Sequence, residues 1–546
     1  MQRRDLLVAA GAALVSAKLA HPAIAQAAAK PLKFIPEGNL QNPDPIWSTT
    51  TVARNFGYMI WDTLYGWDGS LVPKPQMAEG HTIEDGGLTW RFSLRDGLKF
   101  HDGTPVRAAD CVASIQRWMK RDGFAQRIEA SLNELVATDD RSFVFRLKKP
   151  FPLLAHGLGK PTANVCFIMP ERIAKTDPYK QIDEYIGSGP YVFNRSEWTP
   201  GALATFKRFD GYAPRQEPPS FVAGGKQANF DRIEWNIITD AATSSAAIQS
   251  GEEEWWQTPL VDLLPTLRKA NGVVVERLDD FGVVGCMRFN MLHPPFDNVK
   301  LRRALLPAIN QADFMNAAMG GDPELTRVGV GVFTPGSPLA NTAGLETLTG
   351  PRDLALAKKL VAESGYAGEK IVFIAPTDYP VLNAESLVGA DLLGKLGINV
   401  DLQGMDWGTM IQRRNNKDTI DKGGWSAFCT GWEGLNLVDP GAHYPIAGTG
   451  EKGWFGWFSS EKMEALRTAW FDAPDFATQQ QVAEQIQLDV WQEAPYYPLG
   501  QWLQPIAHRT TIEGIVKSPF PLLDGTASPS GVDRGAGCSW RGGVSF

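Results

Sequence analysis

Apolar and polar positions alternate in some stretches of this chain and recur every third or fourth residue in others. Trp90-Arg91-Phe92-Ser93-Leu94-Arg95 alternates as a half-buried strand does, and Asp96-Gly97 then turns the chain. His101-Asp102-Gly103-Thr104-Pro105 is a second turn cluster, after which Val112, Ile115, Trp118 and Met119 stand at helical spacing. Residues 143–147 alternate again, so roughly 70–186 reads as mixed α and β. Gly187-Ser188-Gly189-Pro190 signals a turn before Tyr191-Val192-Phe193, and strand-like runs follow at 203–208 and 233–238. Between them, 210–230 is a Pro/Gly-rich loop.

From about 286, strands and helices take turns. Residues 286–290 read as a strand, and Asp297 or Asn298 can cap a helix carrying Val299, Leu301, Ala304, Leu305 and Ala308. Pro351 suits the first turn of a helix through Leu354, Ala357, Leu360 and Val361 that stops at Gly365. A strand at 370–375, a helix at 384–395 ended by Gly397 and a strand at 398–402 follow. Strands separated by helices of this length predict an α/β fold with a largely parallel sheet, in a chain that leaves one domain and returns to it.

The N-terminus departs from this pattern. Met1-Gln2-Arg3-Arg4-Asp5 is basic and precedes an uncharged, mostly apolar run of twelve, from Leu6 to Ala17. About 20 apolar residues are needed to span a bilayer, so this is a secretory signal rather than an anchor. Ala23-Ile24-Ala25 offers a cleavage site, with Ala27-Ala28-Ala29 as a second choice, and Arg3-Arg4 resembles a twin-arginine signal. Residues 1–25 are thus expected to be removed, leaving a periplasmic protein. The removed segment carries a net +2, so the whole-chain charge of −8 becomes about −10. A moderately acidic surface argues against nucleic acid and anionic membranes as partners.

The five cysteines (111, 166, 286, 429 and 538) form no CxxC pair, and the seven histidines have no metal-ligand spacing. No metal and no cofactor is expected. Cys286 with Cys429 is the first choice if a disulfide forms. GxSxG, GxxxxGK[ST] and GxGxxG are absent; Ser459-Ser460-Glu461-Lys462 formally gives SxxK but reads as a helix cap before Met463, Leu466 and Trp470. No catalytic residue is assigned, and the protein is not expected to be an enzyme.

Several stretches together resemble the extracytoplasmic solute-binding proteins of peptide-type ABC importers, the dipeptide, oligopeptide and nickel binding family. The strongest runs from Gly86-Gly87-Leu88-Thr89-Trp90 through Asp96-Gly97-Leu98-Lys99-Phe100-His101-Asp102-Gly103-Thr104-Pro105. Trp61-Asp62-Thr63-Leu64-Tyr65-Gly66-Trp67, Gly187-Ser188-Gly189-Pro190-Tyr191, and Pro295-Phe296-Asp297-Asn298-Val299 with Leu301-Arg302-Arg303-Ala304 also match. Gly431-Trp432 with Asp439-Pro440, and Glu493-Ala494-Pro495-Tyr496-Tyr497-Pro498-Leu499, complete the set in family order. The resemblance implies a two-lobed periplasmic binding protein of the Venus-flytrap kind with an extra inserted α+β domain. Lobe I would comprise 31–66, 187–285 and 500–546, the inserted domain 67–186, and lobe II 286–499. Ligand would lie between the lobes, which close about a hinge.

By position, Trp407, Arg414 and Trp432 match pocket residues of peptide-binding members. Indole faces offer apolar contact or stack on a cation, and a guanidinium grips a carboxylate bidentately. Where those members carry an aspartate that neutralises the peptide ammonium, this chain has Leu435, with Glu433 two positions away. Another acid takes that place, or the ligand is not a free peptide. The expected function is capture of a small organic solute, peptide-like or other, and its delivery to ABC permease subunits by a monomer. A periplasmic sensor or carrier without import, and less so a secreted hydrolase, are the alternatives.

Overall fold

The computed structural model describes residues 30–47, 49–523 and 525–527; the segment expected to be an export signal, and Cys538, lie outside the described residues. Three larger sheets and a two-stranded ribbon organise the backbone. The first sheet has seven strands, in the order Val273–Glu276, Ile506–Arg509, Trp255–Trp256, Leu32–Ile35, Arg232–Asn236, Leu203–Arg208 and Tyr191–Phe193. Three separate stretches of chain build this lobe, and Leu32–Ile35 at its centre runs parallel to both neighbours.

The second lobe is built on six strands, in the order Thr326–Arg327, Tyr496–Trp502, Val283–Phe289, Ala427–Glu433, Lys370–Pro376 and Asn399–Met405. Lys370–Pro376 is parallel to Asn399–Met405 and to Ala427–Glu433. Val283–Phe289, however, is antiparallel to Ala427–Glu433 and to Tyr496–Trp502. The sheet is therefore mixed, which corrects the largely parallel sheet expected from the alternation of elements. The cause is connectivity. The chain enters this lobe along Val283–Phe289 and leaves along its neighbour Tyr496–Trp502, so the two must run in opposite directions to meet the first lobe at one end. Glu276 pairs with Ile506 on one side of the junction and Val283 with Trp502 on the other, leaving 277–282 and 503–505 as two adjacent crossovers.

The third sheet is antiparallel, in the order Ala78–Glu84, Thr89–Leu94, Ser142–Leu147 and Leu132–Ala137, with helix Ala108–Met119 packed on it. Its apolar face stacks Phe92 on Phe143 at 5.2 Å. This is the alternation read at 90–95 and 143–147.

Local chemistry accounts for the element ends. Asn298 caps helix Val299–Leu305 and Ser460 caps Glu461–Asp472, each accepting a backbone N–H two or three residues on. Pro351 does not open a helix as expected: helix Leu354–Glu363 starts later, where the Asp353 carboxylate accepts the Leu356 N–H at 2.7 Å. Helix Pro380–Lys395 begins a turn before 384, with Pro380 in the first turn, where its missing N–H costs nothing. A Cβ on Gly187 would lie 1.9 Å from the Ile60 carbonyl oxygen, and the Gly189 N–H donates to that oxygen at 2.8 Å. The Gly-Ser-Gly-Pro turn thus needs glycine because it presses backbone on the end of helix Thr51–Ile60.

Cys111, Cys166, Cys286 and Cys429 are buried and free. The register shows why Cys286 and Cys429 do not bridge. Cys286 faces Thr430 across the ladder and Cys429 faces Met287, so the two thiols leave opposite faces of the sheet. Among the described residues no helix is long and apolar enough to cross a membrane.

Candidate functional site

A cavity of about 260 Å³ lies where the two lobes meet beside the crossovers. The first lobe contributes Glu37, which follows strand Leu32–Ile35, together with Thr51 and Gln257. The crossover contributes Asp279, and the second lobe contributes Tyr379, Leu382, Trp407, Gly431, Glu433 and Trp502.

Each polar group is held by its neighbours. The Glu37 N–H donates to Gln257 Oε1 at 2.9 Å, and Gln257 in turn donates its N–H to the Ile35 carbonyl at 3.0 Å. Asp279 accepts the Phe281 N–H at 2.7 Å. Arg54, in the first turn of helix Thr51–Ile60, reaches across to the end of strand Ala427–Glu433. Its Nη1 donates to Glu433 Oε2 at 2.7 Å and its Nη2 to Oε1 at 3.0 Å, a bidentate pair between lobes. The guanidinium also lies over Phe520, 4.0 Å from the ring centre, and Asn436 adds a hydrogen bond to Glu433 at 3.1 Å.

Burial dominates the electrostatics. Glu37 is exposed at the cavity wall, yet protein surrounds it, and this with the nearby Glu433 charge pushes its pKa up to about 7, against the opposing pull of Arg54. Burial also raises Asp279 to about 7; the Phe281 and Gly282 N–H groups oppose the rise and Glu433 adds to it. For Arg54, burial works against the charge, but Glu433, with Glu37 and Tyr58, more than offsets it.

Two of the residues singled out in the sequence, Trp407 and Glu433, stand on the cavity wall. Arg414 lies behind Trp407. Its guanidinium is packed among Trp407, Phe428 and Phe455 at 5.4, 5.6 and 4.6 Å, Nε has no hydrogen-bond partner, and burial lowers its pKa to about 10. Trp432 points away from the cavity, because Gly431 and Glu433 flank it on the same strand and side chains alternate between faces. It stacks on Tyr444 at 5.7 Å and meets Trp454 edge-on at 5.0 Å. Leu435 is 1% exposed and joins the apolar cluster of the first lobe that includes Tyr58 and Phe520. Sequence reasoning missed Glu37, Arg54, Asp279, Tyr379 and Trp502. Asp279-Asp280 at the lobe boundary was the one available signal, since an acidic pair entering a crossover is unusual for a buried strand.

Residues 72–454 match the family model described as bacterial extracellular solute-binding proteins, family 5 Middle. The chain belongs to this family. Among curated relatives, a probable peptide ABC transporter periplasmic-binding protein of Sinorhizobium fredii is 37% identical over 528 residues, covering 96% of this chain and 98% of that protein. A glutathione-binding protein of Salmonella typhi is 25% identical over 511 residues, 92% of this chain and 94% of the other. Two solved structures share the fold. One is an ABC transporter-associated periplasmic binding protein of Helicobacter pylori in complex with the peptide STSA, with a TM-score of 0.75 and 19% identity over 91% of this chain and 98% of that one. The other is a binding protein of A. tumefaciens R10 in complex with agropinic acid, with a TM-score of 0.74 and 20% identity over 91% and 99%. This family 5 chain is therefore a two-lobed solute-binding protein of an ABC transporter; its relatives are binding proteins, not enzymes, and the sensor and hydrolase readings are not favoured.

Proposed function

We propose that this protein captures a small peptide-like solute in the interlobe cavity and hands it to the permease subunits of an ABC importer. Carrying the reading is a cavity whose wall is drawn from both lobes and the crossover, with wall residue Glu433 joined to Arg54 of the first lobe. A ligand held there touches both lobes at once, so it binds the closed arrangement better than the open one and shifts the equilibrium toward closure. Ligand pockets for drug-sized molecules run from about 300 to 1,000 Å³. The space of about 260 Å³ therefore suits a ligand of a few residues rather than a long peptide. Trp407 and Tyr379 supply an aromatic wall, with Arg414 packed behind Trp407. Names of relatives support this size class, since one binds glutathione. The protein is further read as exported through its twin-arginine-like signal, cleaved near Ala25, and as a monomer.

Trp407 and Trp502 make the test optical. Titration with dipeptides, tripeptides and glutathione should give a saturable change in tryptophan fluorescence with at least one of them, and native mass spectrometry of protein from its own host should show a retained small solute. No saturable response together with an empty protein would sink the reading.

A further inference from the structure

The cavity brings together more acids than bases. Arg54 is committed to Glu433 through both terminal nitrogens. Glu37 and Asp279 have no cationic side chain within ion-pair distance among the described residues. Elsewhere several buried acids are met by a cation: Asp44 pairs with Arg117 at 2.8 Å, Asp62 with Lys226 at 3.0 Å and Asp122 with Lys160 at 2.8 Å, whereas buried Glu253 has only Asn236. A further carboxyl, Glu385, stands behind the cavity wall. It is wholly buried, neither oxygen has a hydrogen-bond partner, and it fills the space beside Gly285, directly across the ladder from cavity-lining Gly431. Glu37 and Asp279 thus line a cavity whose adjoining base, Arg54, is already paired with Glu433.

The acids do not converge on a metal, since no group of three or more His, Cys, Asp or Glu side chains among the described residues could hold an ion. Glu37 and Asp279 come from the first lobe and the crossover, and both are open to the cavity rather than sealed in the core. In the second lobe, Glu385 stands behind the wall and does not line the cavity. Leu435 is apolar and buried in the first-lobe cluster, and Glu433 is occupied by Arg54. A carboxylate turned into a cavity between lobes is stabilised in its ionised form by a cation beside it, and with Arg54 paired to Glu433 a ligand ammonium can supply that cation.

We infer that Glu37 and Asp279 form the subsite for a protonated amine of the ligand, so that solutes lacking a basic nitrogen are excluded. This rests on the reading of the cavity as the solute site. It places the ammonium anchor on the first lobe and crossover, away from position 435, which does not line the cavity. A ligand amine lying there is gripped before the second lobe closes, and closure then adds Trp407 and Tyr379 over it.

The experiment compares amines with their acetylated forms on the full mature chain. Probes are glutathione and a set of dipeptides, each beside its N-acetyl derivative, with the solute retained from the host identified by fragmentation. Free amines should saturate. Acetylation should weaken binding about 30-fold or more, and Glu37→Gln and Asp279→Asn should each do the same. The ligand-free melting temperature of both variants should hold or rise, which separates a lost anchor from a damaged fold. Equal affinity for acetylated and free forms, unchanged affinity in both variants, or a retained solute without basic nitrogen each overturns the amine subsite while leaving solute capture intact. A wild-type protein that binds none of these probes and retains nothing overturns both.

Discussion

At the scale of single residues, the cavity holds charges that conflict in the absence of ligand. Glu37 and Asp279 both have folded pKa values near 7, well above the ordinary carboxylate range, chiefly because burial penalises their charged forms. The groups facing Glu37 are Glu433, which adds to the rise, and Arg54, which opposes it. For Asp279 they are Glu433 and Asp280, with the N–H groups of Phe281 and Gly282 opposing. A folded acid with a raised pKa binds more protons than its unfolded form between the two values, so the stability it contributes is present at low pH and lost as pH rises through about 7. Buried His101 and His443, both lowered to about 4 by burial, act in the opposite sense, so the difference between variants is the clean measure. Without ligand, the melting temperature of Glu37→Gln minus that of wild type should grow from pH 4.5 to about 7 and then level off. A difference that is flat or shrinks across that range contradicts the assigned conflict.

Among elements, strand Ala427–Glu433 carries most of the lesson about what the sequence disclosed. The segments on either side of it, 286–290 and 370–375, were legible as strands from periodicity, and helix caps such as Asn298 and Ser460 were legible from residue type. Trp432 and Glu433 are consecutive on this strand, and of the two only Glu433 lines the cavity. Glu37, Arg54 and Asp279 were invisible for another reason: they sit on three separate segments, and only the two-crossover topology brings them to Glu433. The alternation makes a paired prediction. Trp432→Ala should lower stability by about 2–4 kcal/mol, since it empties the space between Tyr444 and Trp454, with little change in ligand affinity. Trp407→Ala should do the reverse, weakening ligand binding with a small melting shift. Calorimetry and fluorescence titration of the two variants check this, and loss of binding in Trp432→Ala at unchanged stability would show that the face has been misassigned.

For the whole molecule, closure is written in more places than the cavity. The inserted domain also touches the second lobe: Phe471 lies 5.1 Å from Phe124 and 6.0 Å from Phe151, Arg127 pairs with Glu464 at 2.7 Å, and Lys149 pairs with Asp472 at 2.8 Å. His156 meets Asp439 at 3.1 Å from the same side. Contacts of this kind that form on closure add to ligand affinity by linkage without touching ligand. The inserted sheet was readable from alternation at 90–95 and 143–147, but its role as a grip was not, because the partners lie more than 300 residues apart. Arg127 and Lys149 are partly exposed, so exchanging them should leave the fold intact while turning attraction into repulsion. Exposed pairs contribute roughly up to 1 kcal/mol each, so Arg127→Glu with Lys149→Glu should weaken ligand binding about tenfold. The ligand-free radius of gyration in small-angle scattering should rise, and added salt should restore part of the affinity as the repulsion is screened. Unchanged scattering with unchanged affinity would confine the closing energy to the cavity and its Arg54–Glu433 pair.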